Sequence, residues 1–98
     1  MSVAIKKKAT ITDNSMLAED IYSMWLEIMD IADAAKPGQF VSLYCNDGSR
    51  LLPRPISICE IDREKGAIRL VYRIAGKGTK EIAMMKPQDT IEVMGPIG

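Results

Sequence analysis

Apolar and polar residues alternate along most of this chain of 98 residues. A period of two is typical of β-strands with one buried face. The alternation predicts six strands, over residues 3–12, Met24–Met29, Phe40–Cys45, Pro55–Ile61, Ala67–Ala75 and Thr90–Met94.

Two of these strands have faces that the sequence separates clearly. In the second strand we expect Met24, Leu26 and Ile28 to face the core, opposite Trp25, Glu27 and Met29. In the fifth strand one face carries Ile68, Leu70, Tyr72 and Ile74, and the other Arg69, Val71 and Arg73. These patterns predict a sheet with one apolar and one mostly polar side.

Turn residues separate the strands. Lys36–Gln39 has proline followed by glycine, the order of a type II turn, and 46–48 reads Asn-Asp-Gly. Asp62–Gly66 reads as a hairpin loop between the fourth and fifth strands. We therefore expect neighbouring strands to run antiparallel.

The period changes over Thr79–Met85, which predicts one short helix with Thr79 as its N-cap. Pro87 ends this helix, because the residue before proline avoids the helical region. The strand–helix–strand alternation of a dinucleotide-binding fold is absent. The fold class predicted is mainly β, a six-stranded antiparallel Greek-key barrel with one short helix.

Composition fits one folded domain over residues 1–98, with 47% hydrophobic and 27% charged residues. No apolar run approaches the roughly 20 residues that span a bilayer. The N-terminal lysines precede no apolar block, so we expect no secretion signal, no membrane and a cytoplasmic location. A net charge of zero argues against a nucleic-acid partner.

The side chains of acid–base and metal chemistry are sparse. The chain has no histidine, so nothing pairs a nucleophile with an imidazole base, and we predict no catalytic residue. Its two cysteines, Cys45 and Cys59, are too few for a zinc or iron–sulfur site. Both fall in apolar strands, and we expect both to pack in the core.

Two segments suit a phosphate group. Arg54 and Ser57 lie three residues apart where a loop enters the fourth strand, and an arginine fork matches phosphate oxygens. Gly76–Thr79 opens the predicted helix with free backbone N–H groups. The simpler interpretation of the first segment is an ordinary strand start, and that of the second is an ordinary helix start. One hairpin joins the two segments, however, and Arg73 lies between them, which favours a shared phosphate site.

In order and spacing these segments resemble the FAD-binding barrel of the ferredoxin–NADP reductase superfamily. The resemblance is closest to the electron-transfer subunit of type B dihydroorotate dehydrogenases. It covers the whole chain and rests on ordered segments, which are Pro37–Val41, Arg54–Cys59, Val71–Arg73, Gly76–Thr79 and Val93–Gly98.

The resemblance implies FAD as the cofactor and assigns its contacts. Arg54 would hold the diphosphate, and Ser57 would lie near the flavin ring. Ile56, after Pro55, stands where many members have a tyrosine, so an aliphatic side chain would cover the ring. The ribityl or adenosine side would be lined by Val71, Tyr72 and Arg73, and the phosphates would be bound by Gly78 and Thr79.

The resemblance also implies a longer protein, because Gly95–Gly98 matches the junction to a nicotinamide-binding domain. A 2Fe-2S cluster and NAD are expected only in that longer protein. Its partner would be a catalytic subunit that oxidises dihydroorotate in pyrimidine biosynthesis, and the isolated domain would be catalytically incomplete.

Alternatives remain from the sequence. The same barrel serves other NAD(P)H-linked electron transferases, such as ferredoxin–NADP reductase-like subunits. A non-enzymatic barrel that binds oligonucleotides or forms homodimers is the other class. For the dimer, Trp25, Met29 and Met84–Met85 would form an exposed apolar patch, although we expect Trp25 to pack beneath the first strand.

Overall fold

The computed structural model describes residues 5–44 and 55–98. The elements in chain order are β1 (Ile5–Ala18), β2 (Ile21–Glu27), α1 (Met29–Ala34), β3 (Phe40–Leu43), β4 (Ile56–Asp62), β5 (Ala67–Arg73), α2 (Lys77–Ala83) and β6 (Thr90–Ile97). The strands pair antiparallel and close into a barrel in the order β1-β2-β5-β4-β3-β6. Since β2 lies beside β5 and not beside β3, the path is a Greek key. The predicted barrel is confirmed.

Alternating side chains from all six strands fill the barrel. Met24 and Leu26 of β2 and Ile68 and Leu70 of β5 are fully buried, as the sequence predicts. Each aliphatic side chain of this kind contributes about 1.5–3 kcal/mol when it leaves water. The barrel interior is therefore the hydrophobic core, and ligands meet the outer faces and the two ends.

Helix α1 was not expected from the sequence. Strand β2 ends at Glu27, and Ile28 is the N-cap of α1, so extending this strand to Met29 was wrong. Apolar positions 28, 31, 32 and 35 have helical spacing, and all are buried. The helix covers the end of the barrel where β2 finishes.

Helix α2 begins two residues earlier than predicted. Its N-cap is Gly76, with φ of 96°, and no side chain bonds at the cap position. The N-cap role assigned to Thr79 is therefore wrong, since Thr79 lies within the first turn. Because α2 follows β5 and α1 follows the paired end of β2, the helices lie at opposite ends of these two strands.

The predicted turns inside the described ranges are confirmed. Gly38 has φ of 89° and the Gln39 N–H donates to the Lys36 carbonyl at 3.1 Å, as in a type II turn. In the β4–β5 hairpin, Gly66 has φ of 64°. The turn predicted over 46–48 lies outside the described residues.

Strand β1 is longer than the sequence indicated, since it runs to Ala18 and not to residue 12. Residues 12–15 are all polar, Met16 and Leu17 are exposed, and the register against β2 is irregular here, so the strand period is hidden. No helix in the described part of the chain is long and apolar enough to cross a membrane.

Candidate functional site

The predicted cofactor segments meet at one end of the barrel. Strands β4 and β5 are antiparallel neighbours, with Ile58 opposite Leu70, so the start of β4 lies beside the end of β5. Helix α2 follows β5 after a three-residue connection. The fold therefore brings 55–57, 71–73 and 76–79 to the same end of the molecule.

The outward side chains of these strands form an open surface. Ser57 and Arg73 are exposed and Val71 is half-buried, all on the outer face of β4 and β5. Phe40 of β3 lies opposite Ser57 and is 39% exposed, so it adds an aromatic ring to this face. No cofactor role is predicted for Phe40 from the sequence, although its strand position next to Val41 puts it on the outer side.

Two of the predicted cofactor contacts, Ile56 and Tyr72, point into the barrel and not toward the outer face. Ile56 is 8% exposed and Tyr72 is 5% exposed, and both belong to the core. A ligand on the outer face can reach them only at an edge or through the backbone. The roles given to these residues stay predictions, with the backbone as the contacting part of Tyr72.

The hydroxyl of Tyr72 lies against Asn14 at this end of the barrel, and we call these two side chains the polar cluster. The hydroxyl donates to Asn14 Oδ1 at 2.9 Å, and the ring stacks on Tyr22 with centroids 5.8 Å apart. Burial raises the pKa of Tyr72 to about 12, although the Asn14 bond lowers it in part. The phenol is therefore a neutral donor at any physiological pH.

Thr79 closes the turn ahead of α2. Its hydroxyl accepts from the Ala75 N–H at 2.7 Å and donates to the Gly76 carbonyl at 3.2 Å. The single proton of this hydroxyl is therefore engaged within the chain. The amides of the first helical turn, residues 77–79, have no intrahelical partner and are the groups that remain for a ligand.

Asn14 holds the other end of α2. Its Nδ2 donates to the Ile82 and Met85 carbonyls at 2.9 Å each, and lies 3.4 Å from that of Ala83. Asn14 was missed because its partners lie 58 to 71 residues away, and no local pattern marks such a contact.

The predictions for the cysteines and for Arg54 have different outcomes. Cys59 is exposed, so a core role for it is wrong. Ile56 and Ile58 take the inward positions of β4, which leaves Cys59 on the outside. Arg54 and Cys45 lie outside the described residues.

Two depressions among the described residues are lined by residues outside the predicted segments. The larger, of about 550 Å³, is lined by Glu81, Met84, Met85, Asp89 and Thr90. The smaller, of about 280 Å³, includes Met29 and Gly66. Met29 and Met84–Met85 thus line different depressions and not one patch. No group of His, Cys, Asp or Glu in the described ranges has the arrangement of a metal site.

Comparison with known proteins identifies the fold and the cofactor class. A family model described as the oxidoreductase FAD-binding domain matches residues 3–98. The chain belongs to this family. The resemblance drawn from the ordered segments is therefore confirmed, and FAD is the cofactor class of the family.

Curated relatives include electron transfer subunits of dihydroorotate dehydrogenase B (NAD(+)). The one from Fusobacterium nucleatum is 42% identical over 90 residues, which cover 91% of this chain and 35% of the relative. The relative from Desulforamulus reducens is 44% identical over 84 residues, which cover 85% of this chain and 32% of the relative. The chain thus spans about a third of the length of these relatives.

Solved structures share the barrel. The NADH-dependent reduced ferredoxin-NADP oxidoreductase, studied for flavin-based electron bifurcation, superposes with a TM-score of 0.82 at 30% identity, over 90% of this chain and 32% of that one. The cytochrome b5 reductase domain of Ulva prolifera nitrate reductase has a TM-score of 0.74 at 19% identity, over 96% and 40%, and shows the fold alone.

Proposed function

We propose that this chain binds FAD and is the flavin module of an oxidoreductase electron-transfer subunit. The observation that carries the proposal is the match of the FAD-binding family over residues 3–98. The meeting of 55–57, 71–73 and 76–79 at one barrel end supports it, because a dinucleotide needs several contacts on one surface.

The groups on this surface fit a diphosphate. The guanidinium of Arg73 is exposed, and the backbone amides of Gly78 and Thr79 lie in the first turn of α2. A helix of seven residues is too short to define an anion site by itself. The set as a whole supplies a charged fork and backbone N–H donors, from which phosphate oxygens accept hydrogen bonds. Arg54 completes this set in the proposal.

The flavin, ribityl and adenosine parts of FAD are assigned to groups on the same surface. We assign Ser57 to the neighbourhood of the flavin ring, after Pro55 and the edge of Ile56. Val71, the Tyr72 backbone and Arg73 are assigned to the ribityl or adenosine side.

The chemistry of the proposed function belongs to the cofactor. When bound, FAD would supply hydride transfer and single-electron transfer, and the protein would supply binding, orientation and electrostatics. In this chain the described side chains bind and orient, and we assign none of them a proton-transfer role.

In the intact protein we propose a relay between NAD(H) and the dihydroorotate dehydrogenase catalytic subunit. The names of the relatives at 42% and 44% identity support this branch. The nicotinamide-binding domain and the 2Fe-2S cluster then belong to other parts of that protein, and residues 1–98 alone are catalytically incomplete. Another NAD(P)H-linked electron transferase is the second candidate, favoured by the structural match at 30% identity.

Flavin titrations test the cofactor assignment. We expect FAD to bind more tightly than FMN, because only FAD brings a diphosphate and an adenosine to residues 71–79. Quenching of flavin fluorescence on adding the protein measures both affinities. Equal affinity for FAD, FMN and riboflavin would contradict a site built around the diphosphate.

A further inference from the structure

Asn14 joins three elements at the barrel end that carries the predicted site. From β1, its Oδ1 receives the Tyr72 hydroxyl of β5 at 2.9 Å. Its Nδ2 donates to the Ile82 carbonyl of α2, and to that of Met85 just beyond it, at 2.9 Å each. One side chain therefore connects the last turn of α2 with the two strands beneath it.

The chemistry of the partners permits one orientation of the amide. Backbone carbonyls only accept, so the nitrogen of Asn14 must face α2. The oxygen must then face Tyr72, whose hydroxyl is the donor. Both ends of the amide are used, and the cluster specifies one position of α2 relative to β1 and β5.

Helix α2 buries little of its own surface. It is seven residues long, and Ile82 is its one buried residue. Helices this short are marginal in water and depend on tertiary contacts. The Thr79 hydroxyl bonds to the Ala75 N–H and the Gly76 carbonyl, so hydrogen bonds link the first turn of α2 to the turn before it.

We propose that Asn14 is a positioning residue for the cofactor site. By fixing the last turn of α2 it fixes the Gly76–Thr79 turn at the other end of the same short helix, and so sets the affinity for FAD. The inference rests on the proposed FAD function and adds to it a residue that lies outside every segment assigned to the cofactor.

The opposite end of the barrel supplies a matched control. The Arg63 Nη2 donates to the Ala35 carbonyl at 2.7 Å, the C-cap of α1. This is also a side-chain bond to the end of a short helix, but it lies at the end of β5 away from α2. Arg63→Ala reports what losing such a bond does to the fold alone.

The test compares Asn14→Asp with Arg63→Ala. Asn14→Asp keeps the size of the side chain and replaces the donor nitrogen by an oxygen that faces two carbonyls. We expect FAD affinity to fall about tenfold or more, on the scale of the net loss of the part-buried hydrogen bonds to Ile82 and Met85. We expect Arg63→Ala to keep the wild-type affinity. Both are measured by flavin titration under conditions where urea unfolding shows each variant folded.

Hydrogen exchange without FAD provides a second measurement. In Asn14→Asp the amides of α2 should exchange faster while those of α1 keep their rates, and Arg63→Ala should give the reverse. Asn14→Ser is the milder variant, because its shorter side chain still carries a donor. Its FAD affinity and the exchange rates of its α2 amides should lie between those of wild type and of Asn14→Asp.

The outcomes separate the two proposals. Wild-type affinity in Asn14→Asp and Asn14→Ser would overturn the positioning role and leave the FAD function standing. Equal losses in Asn14→Asp and Arg63→Ala would also overturn it, since general stability would then explain both. Absence of FAD binding by the wild-type chain would overturn the proposed function, and the positioning role with it.

Discussion

At the residue scale, Tyr72 combines core packing with a part-buried hydrogen bond. Its ring stacks on Tyr22 inside the barrel and its hydroxyl donates to Asn14. Ionising this phenol would place a negative charge in the core and remove the donor. The fold therefore favours the neutral form, which is why the pKa of Tyr72 is raised to about 12.

This raised pKa predicts a loss of stability in alkali. The folded pKa lies near 12 and the ordinary value is 10.0, so the contribution is complete below pH 10 and disappears between pH 10 and about 12. The free energy of unfolding, measured by urea titration, should fall more steeply with pH in wild type than in Tyr72→Phe. Parallel pH profiles of the two proteins would contradict this, because Tyr72→Phe removes only the Tyr72 hydroxyl.

Thr79 gives a prediction that separates its hydroxyl from its shape. Thr79→Val is nearly isosteric but removes the bonds to Ala75 and Gly76, which should lower stability by about 1 kcal/mol and weaken FAD binding. Thr79→Ser keeps the hydroxyl and should retain both. Urea unfolding and flavin titration of the pair check this, and equal FAD affinity in all three proteins would show that the turn does not depend on the hydroxyl.

The arginine at position 54 is predicted from the sequence to hold the diphosphate. Arg54→Ala should weaken FAD binding by about 1.5–3 kcal/mol, the range for hydrogen bonds to charged groups. Lys65→Ala, which removes the same charge from the β4–β5 hairpin, is the control and should bind as wild type. If both variants lose affinity equally, net charge and not a specific contact is responsible.

At the element scale, the sequence predicts strands well and helix ends poorly. The alternation in β2 and β5 placed Met24 and Ile68 correctly, because a barrel strand has one side in the core. Ile28 satisfies both the strand period of β2 and the helical spacing of α1, so the change of period was invisible there. The start of α2 was misplaced because Thr79 is a good cap in general, whereas here Gly76 takes the position with φ of 96°.

The close packing of β6 on β3 predicts that position 95 needs a glycine. A Cβ at Gly95 would lie 2.8 Å from Val41 Cγ1 and 3.2 Å from the Phe40 carbonyl oxygen. Gly95→Ala should therefore destabilise the barrel by about 1–3 kcal/mol, as overpacking does. Urea unfolding measures the loss.

Gly38 is the matched glycine for this experiment. It has φ of 89° but open space around it, so Gly38→Ala should cost only the backbone strain, about 1–2 kcal/mol. In the double variant Gly95→Ala with Val41→Ala, the smaller neighbour should recover part of the loss. Strict additivity of the two changes would contradict the proposed clash.

At the scale of the whole molecule, barrel closure makes one surface out of distant segments. The order β1-β2-β5-β4-β3-β6 puts the start of β4 beside the end of β5, and the ordered segments that resemble the family anticipated this grouping. The sequence did not reveal Asn14, because its role depends on how β1 passes under α2. The alternation groups Tyr72 with the inward residues Ile68 and Leu70, whereas the resemblance assigns Tyr72 and Ile56 to the cofactor, and in the structure both face inward.

The central claim is that this chain carries one FAD on that surface. The most direct measurement is the absorbance spectrum of the purified protein after mixing with FAD and passage through a desalting column. We predict flavin bands that elute with the protein at about one FAD per chain, the stoichiometry of a single site. Protein that elutes without flavin, with all the FAD in the small-molecule fraction, would contradict the claim.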